Sequence, residues 1–281
     1  MLLAAALLAL SQAAGTLPAS SAPAAAGDTP ARARQSRLFA LPDNAVAYVP
    51  ASAGQRPPLL VLLHGAGHRQ LEMVQHFEAE ADARGIVLLA PDSRAVTWDT
   101  VAIAQEPLSS ESPLGREQSL RFGRSRDADR VEAAIANLAK TVAIDRARTV
   151  LAGFSDGATF ALAMGLAKDH SFAAVIAWSP GIAIATERPA SGRRVFVSHG
   201  RTDPVLSFAT TCGEIVPLLR SEGAAVTFVP FEGGHDAPVW LKDAFLDAVF
   251  GRVPGSQARP LPAEVERCTA AGTAGRETGG G

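Results

Sequence analysis

The sequence predicts an α/β domain with a mostly parallel central sheet and helices on both faces. Three observations carry this. Short unbroken apolar runs recur along the chain, as expected of strands buried on both sides. They alternate with longer segments whose apolar residues recur at helical spacing. Hydrophobic residues make up 47% of the 281 residues, enough for one large core. Charge is sparse (19%), the net charge is -2 and the pI is about 6.3, which excludes the strongly basic balance of a nucleic-acid binder.

The elements follow in order. Segments near Ser36–Ala40 and Ala45–Val49 are expected as antiparallel edge strands. Leu59–Leu63 reads as a buried parallel strand ending in His64-Gly65. Leu71 to Arg84 is a helix with Leu71, Val74 and Phe77 on one face. Ile86–Ala90 is the next strand, stopped by Pro91-Asp92. Asp127 to Lys140 carries Val131, Ile135 and Leu138 at helical spacing, with acidic residues in its first turn. Thr149–Ala152, Ala173–Trp178, Arg194–Ser198 and Val226–Pro230 are the remaining strands. Ser155 to Lys168, Phe208 to Glu222 and Val239 to Phe250 are the helices between and after them. The middle one of these helices must absorb Pro217.

Both flanks differ from this core. Leu2–Leu10 is apolar throughout, about 14 Å long as a helix, against a bilayer core of about 30 Å. It is too short to span and has the length of a signal-peptide apolar region. Residues 1–26 are therefore expected to be a leader, cleaved after Ala13 or Ala26, and residues 27–35 a linker. Residues 36–252 form the expected catalytic domain and 253–281, rich in Pro and Gly, a tail. A functional leader implies a periplasmic or secreted protein; without one the protein is cytoplasmic.

The chemistry sits after the Thr149–Ala152 strand, where Gly153-Phe154-Ser155-Asp156-Gly157 runs into a helix. This is the G-x-S-x-G arrangement, in which a sharp turn lifts the serine hydroxyl above the sheet at a helix N-terminus. A serine hydroxyl needs a base, and the base an orienting acid. In this topology they follow as acid, then His. Asp203 comes just after the Arg194–Ser198 strand and His235 just after Val226–Pro230, both at strand ends facing the crevice. Ser155, Asp203 and His235 are the expected catalytic residues. An oxyanion hole needs two backbone N–H donors: Asp156, after the nucleophile, and Ala66 in His64-Gly65-Ala66-Gly67, with Gly67 the alternative. His64 is read as holding this loop. His64 and His68, in a Gly-rich loop with no Glu between them, are not expected to bind metal. No cofactor is called for.

Leu62-Leu63-His64-Gly65, Thr97-Trp98-Asp99, Gly153-Phe154-Ser155-Asp156-Gly157, Trp178-Ser179-Pro180-Gly181, Ser198-His199-Gly200 with Asp203-Pro204, and Gly233-Gly234-His235 occur in this order. Together they resemble the phospholipase/carboxylesterase group of the α/β-hydrolase superfamily, which includes dienelactone-hydrolase-like and small serine esterases. The match spans roughly residues 57–245. The resemblance implies an α/β-hydrolase fold and cofactor-free hydrolysis of carboxylic esters, with Ser155, Asp203 and His235 as triad and Ala66 and Asp156 as oxyanion donors. Many members carry Gln or Met after the serine where this chain has Asp156, whose carboxylate must point away from a developing oxyanion.

The stretch from Asp92 to Arg126 is too long for an ordinary connection of about 2–6 residues and is expected to wall or cover the site. Trp98, Phe154 and Trp178 are candidates for lining a pocket, as are Leu108 and Phe122. Arg121, Arg124, Arg126 and Arg201 are read as solvated surface rather than as a site favouring an acidic substrate. Cys212 and Cys268 are a candidate disulfide tying down the tail. The expected partner is a small-molecule ester; neither nucleic acid nor a stable membrane span is expected, and the oligomeric state is open. Alternative readings are a polyester or feruloyl-type esterase, a serine peptidase on the same triad, or a non-catalytic binding protein of the same fold.

Overall fold

The structure, a computed structural model, describes residues 35–105, 121–122 and 124–261. The leader, the end of the tail, Leu108 and Cys268 lie outside the described residues. An eight-stranded sheet runs through the domain. In chain order its strands are β1 (Arg37–Ala40), β2 (Val46–Val49), β3 (Leu59–Leu63), β4 (Val87–Ala90), β6 (Thr149–Phe154), β7 (Ala174–Trp178), β9 (Arg194–Gly200) and β10 (Ala225–Phe231). β5 (Arg121–Phe122) and β8 (Ala185–Thr186) form a separate two-stranded parallel ribbon. The spatial order in the large sheet is β1-β2-β4-β3-β6-β7-β9-β10. β1 and β2 are antiparallel to their neighbours and the rest are parallel. Of the two antiparallel strands only β1 is an edge, because β2 also pairs with β4.

The parallel strands read as solid apolar runs because both faces are covered. In β3, Leu59, Val61 and Leu63 pack into one core and Leu60 and Leu62 into the other, with none more than 1% exposed. The second core is closed by α1 (Gln70–Arg84) through Val74 and Phe77, and by α6 (Val239–Phe250) through Leu241 and Phe245. The first is closed by α3 (Arg126–Ala139), α4 (Asp156–Leu166) and α5 (residues 208–221). α1 ends at Gly85, whose φ of 64° suits a residue without Cβ, and its N–H reaches back to the Ala81 carbonyl.

α5 runs as Phe208–Thr210, Thr211–Ile215 and Val216–Ser221, and the middle turn is π-helical. Pro217 has no N–H to offer the Gly213 carbonyl, and its ring would crowd it. The chain widens upstream, and the Val216 N–H bonds the Thr211 carbonyl five residues back. The expected long helix is thus three joined pieces.

The acidic first turn of α3 does more than complement a helix dipole. Ser125 caps Ala128 N–H at 3.0 Å. Asp127 is buried and accepts N–H bonds from Arg94 (3.2 Å) and Asp99 (2.9 Å). Asp99 opens α2 (Asp99–Gln105) and accepts from Arg126 N–H (2.8 Å) and the Ser125 hydroxyl (2.7 Å). The two carboxylates thereby lace the ends of α2 and α3 together. Burial pushes the Asp127 carboxyl above its ordinary value, against the lowering effect of its backbone donors.

Candidate active site

β3 is followed in the sheet by β4 on one side and β6 on the other, so the strand order reverses beside β3. The carboxyl ends of β3, β6, β7, β9 and β10 share one end of the sheet at that reversal, where open α/β sheets bind their ligands. All the expected catalytic residues lie at this end.

The β6–α4 turn is dictated by close backbone approach. A Cβ on Gly153 would come 2.1 Å from the Gly157 carbonyl oxygen. One on Gly157 would come 2.3 Å from that of Leu63 and 2.4 Å from that of His64. Only glycine fits either position. Between them Ser155 is held at φ 57° and ψ -124°, a strained conformation for a residue with a side chain. Its N–H bonds the Trp178 carbonyl at 2.9 Å, and its own carbonyl accepts from Ala158 N–H at 2.9 Å. Ser155 precedes α4, as the motif predicts, but stands outside the helix rather than opening it.

The loop after β3 lies against this serine: a Cβ on Gly65 would be 3.1 Å from that of Ser155. His64 is buried and fixes the loop. Its Nδ1–H donates to the Gly65 carbonyl (2.8 Å) and its Nε2 accepts from Ser93 N–H (3.2 Å). Gly67 donates its N–H to the Val96 carbonyl at 2.9 Å, so that donor is committed inside the protein. Ala66 is exposed at the turn. His68 is exposed and paired with Glu72 at 3.0 Å. Among the described residues no group of three or more His, Cys, Asp or Glu side chains is placed to hold a metal ion.

Asp203 and His235 meet. His235 Nδ1 donates to Asp203 Oδ2 at 2.7 Å. The meeting is built by joining the loops after β9 and β10. Arg201 N–H bonds the Phe231 carbonyl (2.9 Å), and the Thr202 N–H (3.1 Å) and hydroxyl (3.0 Å) bond the Gly233 carbonyl. Gly200 allows it, since a Cβ there would be 2.2 Å from the Gly234 carbonyl oxygen. Asp203 Oδ1 accepts from Val205 N–H (2.8 Å) and Leu206 N–H (2.9 Å). Burial alone would raise the Asp203 carboxyl. The Leu206 N–H, the His235 side chain and the Val205 N–H outweigh it and hold it below its ordinary value. The imidazole of His235 rests on the Phe154 ring, with centroids 4.8 Å apart, which places it next to Ser155 along the chain.

The Asp156 carboxylate is buried, and Thr97 Oγ1 donates to it at 2.7 Å. The anion that the sequence sets beside the nucleophile is thus drawn toward the Asp92–Arg126 segment.

A pocket of about 160 Å³ lies between α1, the end of β6 and the loop after β10, with Gly65, Met73, Phe77, Phe154, Trp178 and Ala237 among its walls. Phe154 and Trp178 are both in its lining. Trp98 is not. It is fully buried, stacked on Phe160 at 4.9 Å, and its indole N–H donates to the His64 carbonyl at 2.9 Å. It packs the opposite core and pins the Ala66 loop from behind. Phe122 is likewise buried, edge-on to Phe160 at 5.8 Å. Met73 and Phe77 had no motif to mark them; only the helical apolar face of α1 points to them. Arg201 pairs with Glu232 at 3.1 Å and lies over Phe208. Cys212 sits in the π-helical turn and is not a free thiol.

A mostly parallel eight-stranded sheet with helices on both faces, a strained serine at a strand–helix elbow, and an Asp–His pair on the following loops define an α/β-hydrolase. A sequence model of the Phospholipase/Carboxylesterase family matches residues 44–240. The chain belongs to that family and is a carboxylic ester hydrolase. Solved structures with the same fold include esterase PE8 (23% identical, 76% of this chain and 98% of that chain, TM-score 0.51). A CE1 ferulic acid esterase from Anaeromyces mucronatus, in complex with ferulic acid, is 14% identical over 82% of this chain and 94% of its own (TM-score 0.53). An acetyl xylan esterase from Aspergillus awamori is 14% identical over 75% and 97% (TM-score 0.52). A search of curated proteins finds no match. No helix among the described residues is long and apolar enough to cross a membrane.

Proposed function

We propose that the chain hydrolyses small carboxylic esters through Ser155, His235 and Asp203 by way of an acyl-enzyme. The observation that carries this is the 2.7 Å bond from His235 Nδ1 to Asp203, made by a histidine whose ring packs on the residue before Ser155. With the proton held on His235 Nδ1 and donated to Asp203, Nε2 is the basic nitrogen. Ser155 Oγ attacks the ester carbonyl as His235 Nε2 takes its proton. The carbon–oxygen bond to the alcohol then breaks, and His235 returns the proton to the departing oxygen. Water, deprotonated by the same nitrogen, attacks the acyl-enzyme, and Ser155 leaves with its proton restored. The oxyanion is held by the backbone N–H groups of Ala66 and Asp156. Ala66 is preferred to Gly67 because the Gly67 donor already serves Val96.

A pocket of about 160 Å³ is small beside the roughly 300–1,000 Å³ of common ligand sites. It favours esters with one short substituent. A second reading, esters of aromatic acids, is favoured by the walls of Phe77, Phe154 and Trp178. Export belongs to the proposal on the strength of Leu2–Leu10.

A fluorophosphonate should label the wild type at Ser155 and leave Ser155→Ala unlabelled. The Ser155→Ala protein should stay folded and lose turnover by about 10⁴-fold or more. Residual esterase activity within tenfold of the wild type sinks the assignment. A series of p-nitrophenyl esters separates the substrate readings: kcat/KM falling beyond butyrate supports the first, and a preference for cinnamate-like acids the second.

A further inference from the structure

Asp203 is approached by a second histidine that the triad does not use. His199, the second-to-last residue of β9, is fully buried. Its Nε2 lies 3.1 Å from Asp203 Oδ2, the same oxygen that receives His235, and 3.1 Å from the Leu206 carbonyl. Both neighbours of Nε2 are acceptors, so Nε2 carries the proton. Its Nδ1 lies 2.8 Å from Thr211 Oγ1 in the π-helical turn of α5, and that hydroxyl has a second acceptor, the Pro180 carbonyl, at 2.9 Å. The charged or titratable groups acting on His199 are Asp203, four residues along, and His235, from the loop after β10. α5 offers it Thr211 and the edge of Phe208 (6.1 Å), both uncharged. His235 itself meets Asp203 and, from β6, the uncharged Phe154 ring; Asp236 follows it in the chain. Burial lowers His199 below the ordinary histidine value, which keeps it neutral around pH 7.

We propose that His199 is a positioning residue for the triad: its Nε2–H, shared between the Leu206 carbonyl and Asp203 Oδ2, holds the carboxylate so that it stays aimed at His235. The inference rests on the triad reading above. With His199 in place Oδ1 accepts two backbone N–H bonds, and Oδ2 accepts the His235 N–H and lies 3.1 Å from His199 Nε2, whose single proton it shares with the Leu206 carbonyl. Both oxygens of the carboxylate are thereby engaged, Oδ2 from two sides, which opposes its turning. A neutral N–H on the anion also draws off part of its charge. That moderates how strongly Asp203 stabilises the imidazolium formed when His235 takes the serine proton. His199 does not line the pocket, so its removal acts on the chemical step rather than on substrate capture.

The test is the pH profile of kcat and kcat/KM for p-nitrophenyl acetate, with fluorophosphonate labelling run on every variant. His199→Phe keeps a planar ring and removes the donor. The acidic limb of kcat/KM should move to higher pH by about half a unit and kcat should fall about tenfold, with KM within twofold. His199→Gln, whose amide N–H can reach Asp203, should restore the wild-type limb. Thr211→Val leaves His199 in place without its Nδ1 partner, and should move the limb the same way by less. If His199→Phe does not fold, Thr211→Val and His199→Gln decide the matter. A wild type that labels at Ser155, with a limb that does not move in the folded variants, overturns this inference alone. A change in KM without a change in the limb assigns His199 to packing and also overturns it. A wild type that fails to label at Ser155 overturns the triad reading, and this inference with it.

Discussion

At the β6–α4 turn the geometry comes from what is missing; at the loops after β9 and β10 it comes from what is present. Ser155 stands upright because Gly153 and Gly157 leave no atoms where backbone must pass within 2.1–2.4 Å of a would-be side chain. Asp203 and His235 stand together because Thr202 ties their two loops together at the Gly233 carbonyl, Val205 and Leu206 fill one oxygen of Asp203, and His235 takes the other. The first half is steric and does not titrate. The second is polar and does. Damage to the first should appear as loss of fold, and damage to the second as loss of rate and as pH dependence.

The largest effect tests that division on the steric side. Gly157→Ala should cost about 3 kcal/mol or more, since its Cβ meets the carbonyls of Leu63 and His64 rather than yielding side chains. Gly213→Ala, in open space within α5, should be neutral or mildly stabilising. Urea unfolding midpoints for the two measure the contrast. Equal midpoints would break the steric account of the elbow.

On the polar side, Asp203→Asn should lower kcat by on the order of 10⁴-fold, because an amide presents the wrong donor pattern to His235. Its far-UV circular dichroism should stay that of the wild type. Unfolding of this variant would show that the Asp–His half is also a structural keystone, and the comparison would fail.

The smallest effect lies in stability against pH. His199 has a folded value below its unfolded value of about 6.5. Its contribution is therefore complete above about pH 6.5 and is lost as pH falls from there through the folded value, because the unfolded chain binds the proton first. Asp203, also lowered, holds its contribution above about pH 3.9 and loses it as pH falls further, through its folded value. Asp127, raised by burial, has the opposite sign, and acid relieves it. Urea midpoints should therefore decline from pH 7.5 to 5, and His199→Phe should flatten that decline. An unchanged slope in the variant would detach His199 from the acid sensitivity.

The parts of the molecule set by chain-local rules were legible in the sequence. β3, β4, β6, β7 and β9 are apolar runs because both faces are covered, and the elbow glycines are legible because no other residue fits. The order of Ser155, Asp203 and His235 follows from topology. Trp98 and Trp178 show where legibility ends. Each follows a strand or motif near the site, yet one stacks on Phe160 in one core and the other floors the pocket over the opposite core. That choice depends on which face of the sheet each segment crosses, which no local pattern encodes. His199 was in plain view inside Ser198-His199-Gly200, and its spacing of four from Asp203 is its only local signal. Its partner Thr211 comes from a helix whose π turn only Pro217 hints at.

The short segment 93–98 touches both the loop after β3 and the residue after Ser155 at once. Ser93 N–H reaches His64, the Val96 carbonyl holds Gly67, Thr97 holds Asp156, and Trp98 holds the His64 carbonyl. Val96 takes part through its backbone alone, and its side chain is 71% exposed. The segment thus behaves as a ruler rather than a label: spelling at Val96 can drift freely among relatives, while a change of length by a single residue would put all four contacts out of register.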